Sequence, residues 1–380
     1  MEIKLTFVGD IMSEKIQNEL SYIGGKYDYS NMFDKGIMEF FEKSDYVVGN
    51  LETPIAGEEL KYSYKEYSFN TPENFLKTLK TIGIDCVTTA NNHCLDRGVT
   101  GLKNTIDALV RNEIEYTGTK VQKTSDSVLI KTLGNMKVAI LSYTYGTNAV
   151  FNKQYLKRNE EYMVNLFGPQ EREVKNNDYL RRLKRKIEYL NIENCKFTNH
   201  RYLKKLKKDI KFARENSDFV VMNMHSGGQY NEIVDDYTAF LTRFMLNCGV
   251  DCIVGGHPHV VHNCYMKNEA FAAFSLGNFS CTPWINDLQK SNLPDYSIVL
   301  NVYLDDNIKC IKKITFLLAK SVKDENGFSR VILVDDLISK VSKMQKKDII
   351  KEQNEIISIF TKKKLESIKK EKGEYIYYIK

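Results

Sequence analysis

Five short apolar runs in this chain end in residues that can bind a metal ion, and this pattern constrains the fold more than any other feature. Runs of this length, bounded by turn residues, are typical of buried strands. Side chains just past the carboxyl ends of parallel strands face one crevice in an α/β sheet, so we expect the polar residues to lie together. The five segments are LTFVGD (Asp10), DYVVGNLE (Asn50, Glu52), CVTTANNHCLDRG (Asn91, Asn92, His93), FVVMNMH (His225) and CIVGGHPHVVH (His257, His259, His262).

Between these runs the sequence alternates with amphipathic helical stretches, a pattern that predicts α/β architecture. One such helix should begin at Thr71 and Pro72, bury Phe75 and Leu79, and end at Gly83. The strand that carries Asn92 and His93 would follow it directly.

Two parts of the chain differ from this pattern. Residues 151 to about 215 are rich in Lys, Arg, Asn and Tyr and have helical spacing, which predicts a basic helical insertion whose last helix leads into the strand at Phe219. Residues 336–380 predict a charged helical tail with a thin apolar stripe, including Ile350, Ile357 and Phe360. The stripe most simply packs on the main domain of residues 1–335, and a partner-binding helix is the alternative.

The residue types at the strand ends predict a metal site. Imidazole, carboxylate and carboxamide oxygen are ligands that suit zinc, manganese or iron, which the sequence does not distinguish. A single buried His after a strand is more often a core residue, but several polar groups at neighbouring strand ends are costly unless they satisfy one another or an ion. We expect Asn50 and Asn91 to bind turn backbones, and His262 to lie outside the ligand set.

Composition narrows the class of protein and its partners. The net charge of +6 lies mainly in the insertion and the tail, which fits an anionic substrate or acidic polymer. Nucleic-acid binding through residues 181–214 is less expected, since this stretch shows no aromatic stacking pattern and no recognisable fold motif. The eight cysteines form no CxxC pair, and no apolar stretch reaches the roughly twenty residues of a membrane span. No signal segment is evident at Met1, so we expect a cytoplasmic protein with reduced cysteines.

Six segments in order, VGDIM, GNLE, ANNHCLDRG, MHSGGQY, GGHPHV and FSLGNF, resemble the bacterial capsule-synthesis CapA family of poly-γ-glutamate capsule proteins. That family is itself related to calcineurin-like metallophosphatases. The resemblance spans residues 5 to about 280 and implies a four-layer α-β-β-α sandwich. It also implies a link to capsule or cell-surface polymer metabolism, and a possible place in a capsule synthesis complex.

Carried over by position, the resemblance implies one or two divalent metal ions. Asp10 and His259 would bind one ion, Glu52 would take the place of the bridging carboxylate, and the second ion would be bound by Asn92, His225 and His257. The chain departs from the metallophosphatase pattern at Met12, which stands where a ligand His is expected. Because a thioether is a poor ligand for a hard divalent ion, a site with a single metal ion is an open alternative.

The resemblance also implies roles beside the metal. His93 matches the position of a general acid or oxyanion-binding residue, with Asp96 as the carboxylate that tunes it. Asp96 has an alternative role as the N-cap of the helix that starts near Val99. Arg97, Gln229 and Tyr230 follow ligand-bearing segments and are expected to bind substrate. We therefore expect a metal-dependent hydrolase, with a non-catalytic accessory protein of a polymer-synthesis complex as the alternative.

Overall fold

The computed structural model describes residues 1–64, 67–171, 201–281 and 292–380, which form two large β-sheets packed face to face. Four neighbouring strands of the larger sheet run parallel, and the strands beyond them on one side continue the sheet antiparallel. In spatial order the larger sheet contains β17 (Lys370–Glu371), β18 (Glu374–Ile379), β15 (Cys310–Lys323), β14 (Tyr296–Asp305), β1 (Glu2–Ile11), β4 (Tyr46–Leu51), β5 (Cys86–Thr88) and β6 (Glu115–Thr117), while β13 (Asn278–Ser280) pairs with β1 and β16 (Ser329–Leu333) with β15.

The smaller sheet has parallel strands at its centre and antiparallel strands at both edges. Its spatial order is β11 (Cys264–Lys267), β12 (Ala270–Ala273), β10 (Cys252–Gly256), β9 (Phe219–His225), β8 (Met136–Thr144) and β7 (Val128–Leu133). A separate hairpin joins β2 (Tyr22–Ile23) to β3 (Lys26–Tyr27).

Helices cover the outer face of each sheet. The helices on the side of the larger sheet are α1 (Lys15–Leu20), α2 (Lys35–Phe41), α3 (Asn74–Thr81) and α4 (Gly98–Arg111). The short helix α5 (Ala149–Asn152) follows β8, and α6 (Arg201–Asn216) and α7 (Asp236–Asn247) pack on the smaller sheet. The C-terminal part adds α8 (Val334–Lys340) and α9 (Lys343–Thr361).

Three apolar layers hold this arrangement together. Leu5, Phe7 and Val48 of the larger sheet meet Val221 and Val254 of the smaller sheet in the central layer. A second layer joins α2 and α3 to the outer face of the larger sheet, and a third joins α6 and α7 to the smaller sheet. Since burial of apolar surface is the main driving force of folding, these layers position the strand ends. The predicted four-layer α-β-β-α sandwich is confirmed.

Local predictions agree in part with the structure. Helix α3 begins at Asn74, because Pro72 and Glu73 form a preceding turn, and Gly83 follows its end with a φ of +97°. Helix α6 leads into β9 as predicted. The other helix predicted within the basic insertion falls in residues 172–200, outside the described residues.

The tail is helical only as far as Thr361. Helix α9 buries Ile357 and Phe360 in the central apolar layer, so the stripe packs on the main domain, although Ile350 stays exposed. After it the chain forms β17 and β18, and β18 pairs with β15. The aromatic and β-branched residues of EYIYYI favour a strand and explain this difference from the predicted helical tail. Tyr375 is buried against Phe316 at a ring distance of 5.4 Å. No helix within the described ranges is long and apolar enough to cross a membrane.

Candidate metal centre

The structure brings the six predicted metal-binding residues to one point at the carboxyl ends of parallel strands from both sheets. Asp10 lies at the end of β1, Glu52 just after β4, and Asn92 in the turn after β5, all from the larger sheet. His225 ends β9, and His257 and His259 follow β10 of the smaller sheet. All six side chains are buried. The crevice expected from the sequence is therefore formed by two sheets rather than one.

The donor atoms are close enough to share an ion. His225 Nε2 lies 3.3 Å from Glu52 Oε1, and His259 Nε2 lies 3.8 Å from the same oxygen. Donor atoms of Glu52, His257 and His259 lie within 4.8 Å of one another, as do those of Asp10, Glu52 and His225. Glu52 is common to both groups, which suits a bridging carboxylate. The grouping of the imidazoles differs from that implied by the resemblance, so the assignment of each ligand to an ion stays a prediction.

Three buried polar atoms at this point have no hydrogen-bond partner among the described residues: Glu52 Oε1, Asn92 Nδ2 and His257 Nδ1. An unsatisfied buried polar group costs about 1–3 kcal/mol, so native proteins rarely retain several together. A cation would satisfy the carboxylate oxygen and the imidazole nitrogen directly. The donor set therefore fits a divalent metal ion.

Burial and charge also prepare the site for a cation. The pKa of Glu52 is raised well above its ordinary value by burial and by the neighbouring Asp10. Burial lowers the pKa of His225 to about 4. The pKa of His257 is lowered by burial and by the adjacent imidazoles of His225 and His259. At neutral pH both rings are neutral and keep a lone pair for coordination.

The backbone around His257 and His259 is held in an unusual conformation. Their φ angles are +93° and +59°, in a region that residues other than glycine rarely adopt. Asp10 supports this turn, because its Oδ2 accepts a hydrogen bond of 3.0 Å from the His257 backbone N–H. A Cβ on Gly256 would lie 2.5 Å from Asp10 Oδ1. Glycine is therefore required here for the close approach of the carboxylate.

We expect the substitution Gly256→Ala to weaken metal binding by about 100-fold or more. The added methyl group displaces Asp10, and loss of a partner that only orients a ligand already costs about 10–100-fold in affinity. Calorimetric titration with Zn²⁺ or Mn²⁺ measures the effect. Gly168→Ala is the matched control, because the nearest atom to its added Cβ is 3.8 Å away. Equal affinity in the two variants would contradict the prediction.

Two asparagines contact the candidate metal ligands and can orient them. The sequence pattern assigned neither of them to the site. Asn50 Nδ2 donates to Asp10 Oδ1 at 2.7 Å and lies 3.3 Å from His225 Nδ1, so Asn50 contacts ligands rather than the turn backbone. Asn278 Oδ1 lies 2.9 Å from His259 Nδ1. Asn91 does bind the turn backbone as predicted, since its Oδ1 accepts a hydrogen bond of 3.1 Å from the His93 N–H, and its Nδ2 donates to the Leu51 carbonyl of β4 at 2.8 Å. Asn278 stands within the FSLGNF segment, which was the available signal.

A His–Asp pair adjoins the candidate ligands. His93 Nδ1 lies 2.7 Å from Asp96 Oδ2, and both side chains are buried. Burial lowers the pKa of His93, but the charge and hydrogen bond of Asp96 outweigh it and leave that pKa raised. Asp96 also accepts hydrogen bonds of 2.7 Å from the Phe69 N–H and from Asn152 Nδ2. It does not cap α4, whose N-cap residue is Arg97.

The residues predicted to bind substrate differ in their surroundings. Arg97 donates to the Leu60 carbonyl at 2.8 Å and to Ser68 Oγ at 2.7 Å, which fixes the loop before α3. The half-buried Tyr230 ring lies 5.6 Å from the His259 ring, and Gln229 is exposed. Tyr230 thus borders the centre, while substrate binding by all three residues stays a prediction.

Met12 occupies an apolar cluster beside the centre. It is buried against Phe69 and Cys281, with Tyr230 at the edge of the cluster. The position where the metallophosphatase pattern has a ligand His is therefore part of the packing, and it offers no nitrogen or oxygen donor.

Comparison with known proteins identifies the family. Residues 4–282 match the family described as "Bacterial capsule synthesis protein PGA_cap". The capsule biosynthesis protein CapA of Bacillus anthracis is 26% identical over 287 residues, 73% of this chain and 59% of that protein. The PGA biosynthesis protein CapA of Bacillus subtilis (strain 168) is 24% identical over 280 residues, 73% of this chain and 63% of that protein. The match thus spans about three fifths of the length of these relatives.

A solved structure described as a novel phosphatase from Mycoplasma pneumoniae superposes with a TM-score of 0.43 and 14% identity, covering 84% of this chain and 93% of that one. Because the family match extends over residues 4–282, well beyond half of the chain, the protein belongs to the bacterial capsule synthesis PGA_cap family, and the resemblance to CapA proteins is confirmed.

Proposed function

We propose that this protein is a metal-dependent hydrolase of the metallophosphatase-like class that acts on an anionic substrate in capsule or cell-surface polymer metabolism. The observation that carries the proposal is the meeting of two carboxylates, three imidazoles and a carboxamide at one buried point, with three of their polar atoms unsatisfied. The substrate is a phosphoester or an amide-linked acidic polymer such as poly-γ-glutamate. Membership of the capsule family supports the biological setting.

The roles of the chain's own residues follow from the geometry. When bound, a zinc, manganese or iron ion would acidify a water molecule and polarise the bond to be cleaved. Glu52, His225, His257 and His259 would hold one or two such ions, with Asp10 and Asn92 completing the set. Asp96 binds Nδ1 of His93 and fixes the ring, which leaves Nε2 to protonate a leaving group or hold an oxyanion. Tyr230, at the edge of the centre, would contact the substrate.

A second candidate function is a non-catalytic accessory protein of a polymer-synthesis complex. The buried Met12 favours it, because the ion assigned to Asp10 and His259 would lack one of its imidazole ligands. Such a protein would bind metal weakly or not at all and would show no hydrolysis.

Metal analysis together with a hydrolase screen separates the two functions. Purified protein is assayed for bound metal, stripped with EDTA, and reloaded with Mn²⁺, Zn²⁺ or Fe²⁺. Hydrolysis of p-nitrophenyl phosphate, bis-p-nitrophenyl phosphate and poly-γ-glutamate is then measured, with the His225→Ala protein as blank. Hydrolysis that disappears with EDTA and returns with metal supports the hydrolase. Near-zero metal and no hydrolysis of any substrate would favour the accessory function.

We expect Asn152→Ala to lower kcat about tenfold with KM and metal content unchanged. Asn152 reaches Asp96 from α5, which stands between two residues with positive φ, Asn148 and Lys153. A hydrogen bond to a charged group is worth about 1.5–3 kcal/mol, and its loss frees Asp96 and the His93 ring. Steady-state kinetics on the substrate found in the screen measures the effect.

The matched control for this prediction is Asn216→Ala, which removes an exposed carboxamide at the end of α6. Asn152→Asp should be worse than Asn152→Ala, because a second carboxylate would repel Asp96. Unchanged kcat in both Asn152 variants would exclude a positioning role.

A further inference from the structure

A cavity of about 120 Å³ with both polar and apolar lining residues lies between the end of β6 and the start of β7. A single water needs roughly 10–15 Å³ of such space, so the cavity is large enough for an oxyanion. It shares no lining residue with the metal centre, although β6 neighbours β5, the strand that leads to Asn92. The lining residues used below are Thr119, Lys120, Ser125, Asp126, Ser127 and Asn165.

The first cationic group of this cavity is Lys120. Its half-buried ammonium group donates to the Ser125 carbonyl at 2.6 Å and to Ser127 Oγ at 3.2 Å. Within the described ranges no carboxylate lies within 4.0 Å of Lys120 Nζ. Asp126 belongs to the lining, but its side chain is exposed to solvent. Lys120 therefore has no directly paired carboxylate among the described residues, and its ammonium group can serve as a charged donor to an anion in the cavity.

A second ammonium group approaches the same hydroxyl. Lys205 Nζ lies 3.2 Å from Ser127 Oγ, and it also binds Asp209 Oδ2 at 2.6 Å and Asn165 Oδ1 at 2.9 Å. Burial, and then the charge of Lys205, lower the pKa of Lys120. Asp209 pairs directly with Lys205, whereas the charges of Asp209 and Asp126 act on Lys120 without a direct contact and partly offset the lowering of its pKa.

The hydroxyl group of Ser127 can supply a neutral hydrogen-bond donor to the cavity. Ammonium groups can only donate, so Ser127 Oγ accepts from both Lys120 and Lys205. Its own proton must then be donated to another acceptor, and the hydrogen bonds of the described residues include none for it. An anion in the cavity would accept from Ser127 and from Lys120 together.

We infer that this cavity is an oxyanion-binding site, in which Lys120 and Ser127 bind a phosphate or carboxylate group. Phosphate and carboxylate share the same recognition chemistry here, a charged donor and a neutral donor facing one oxygen-rich group. The ligand group could belong to a free ion or to the substrate polymer. The site is separate from the metal ligands and does not depend on hydrolysis.

The test uses residues 1–380 with the candidate metal centre disabled, so that anions bound to a metal ion do not interfere. Inorganic phosphate and glutarate are titrated by calorimetry into EDTA-treated His225→Ala protein. We expect saturable binding of at least one of them, weakened at least tenfold by Lys120→Met and retained with Lys120→Arg. The control Lys103→Met removes an exposed lysine of α4 and should change nothing. The stronger ligand tells whether a phosphate or a carboxylate group is the natural partner.

Two outcomes would overturn the inference. One is equal affinity in the parent protein and the Lys120→Met variant, which would place the anion elsewhere. The other is no saturable binding of either anion up to about 10 mM, which would mean that any dissociation constant lies above the millimolar range. If Lys120→Met fails to fold, Ser127→Ala replaces it, with the same tenfold loss expected.

Discussion

Replacing His225 or His257 with alanine is expected to leave a folded protein that no longer retains metal, together with loss of any hydrolysis. Each ring supplies a donor atom to a candidate ligand group around Glu52. Loss of an outer partner costs about 10–100-fold in metal affinity, and loss of a ligand costs more. Metal content by mass spectrometry and thermal unfolding with and without added Zn²⁺ or Mn²⁺ measure the effect.

The thermal measurement gives an independent reading of the same loss. An ion present at about 100 times its Kd stabilises the folded state by about 2.7 kcal/mol, and this gain should be missing in both variants. His262→Ala is the matched control. Its ring is also buried, but Nε2 faces the Asn231 carbonyl and belongs to neither group of candidate ligands. Stoichiometric metal in the His225 and His257 variants would exclude the proposed centre.

Glu52→Gln should have opposite effects with and without metal. In metal-free protein at pH 8 the variant should unfold at a higher temperature than the wild type, because it removes a carboxyl group whose ionisation is opposed by burial and by Asp10. With metal present, the order should reverse, since the variant lacks the carboxylate shared by both ligand groups. Thermal unfolding in EDTA and in excess Zn²⁺ tests both parts.

The pH dependence of this difference has a definite sign. The pKa of Glu52 is raised in the folded state, so folding favours the protonated form. Below the unfolded pKa, near 4.5, the carboxyl group is protonated in both states, and glutamine and glutamate should be equally stable. As pH rises from there through the raised folded pKa, the wild type loses stability. Each pKa unit of difference is worth about 1.4 kcal/mol.

A matched carboxylate makes the comparison specific. Glu115 accepts a hydrogen bond from Tyr46 and pairs with Lys131 at 2.8 Å, and its pKa is lowered. Glu115→Gln should therefore give no stabilisation at pH 8. A Glu52→Gln variant that is less stable than the wild type in EDTA at that pH would show that the buried carboxylate is already well compensated.

The sequence was sufficient to predict that distant segments meet, because strand periodicity and the polar residues that end each strand are local signals. Asp10, Glu52 and His225 are each the direct continuation of an apolar run, and parallel pairing brings such ends together. The same pattern predicted α/β architecture, whereas the four-layer sandwich was implied by the resemblance to CapA proteins. The resemblance to CapA proteins added the order of the segments and the His93–Asp96 pair.

Other contacts could not be predicted from local signals. Asn152 reaches Asp96 from 56 residues away, through a loop whose path depends on positive φ angles at Asn148 and Lys153. Asn50 was assigned to the turn because its carboxamide can bind backbone or side chains equally well, and only the approach of β9 decides between them. The C-terminal strands were missed because the short run of aromatic and β-branched residues in EYIYYI was grouped with the charged residues before it.

The division of the centre between the two sheets has a consequence for the whole molecule. Asp10, Glu52 and Asn92 move with one sheet and the three histidines with the other, so their spacing is set by how the apolar side chains between the sheets interlock. A shift of one sheet over the other by about an ångström would move the candidate ligand atoms out of coordinating distance of a shared ion. Shortening a side chain of the central apolar layer, such as Phe7 or Val221, should therefore weaken binding of the proposed ion even where the protein still folds.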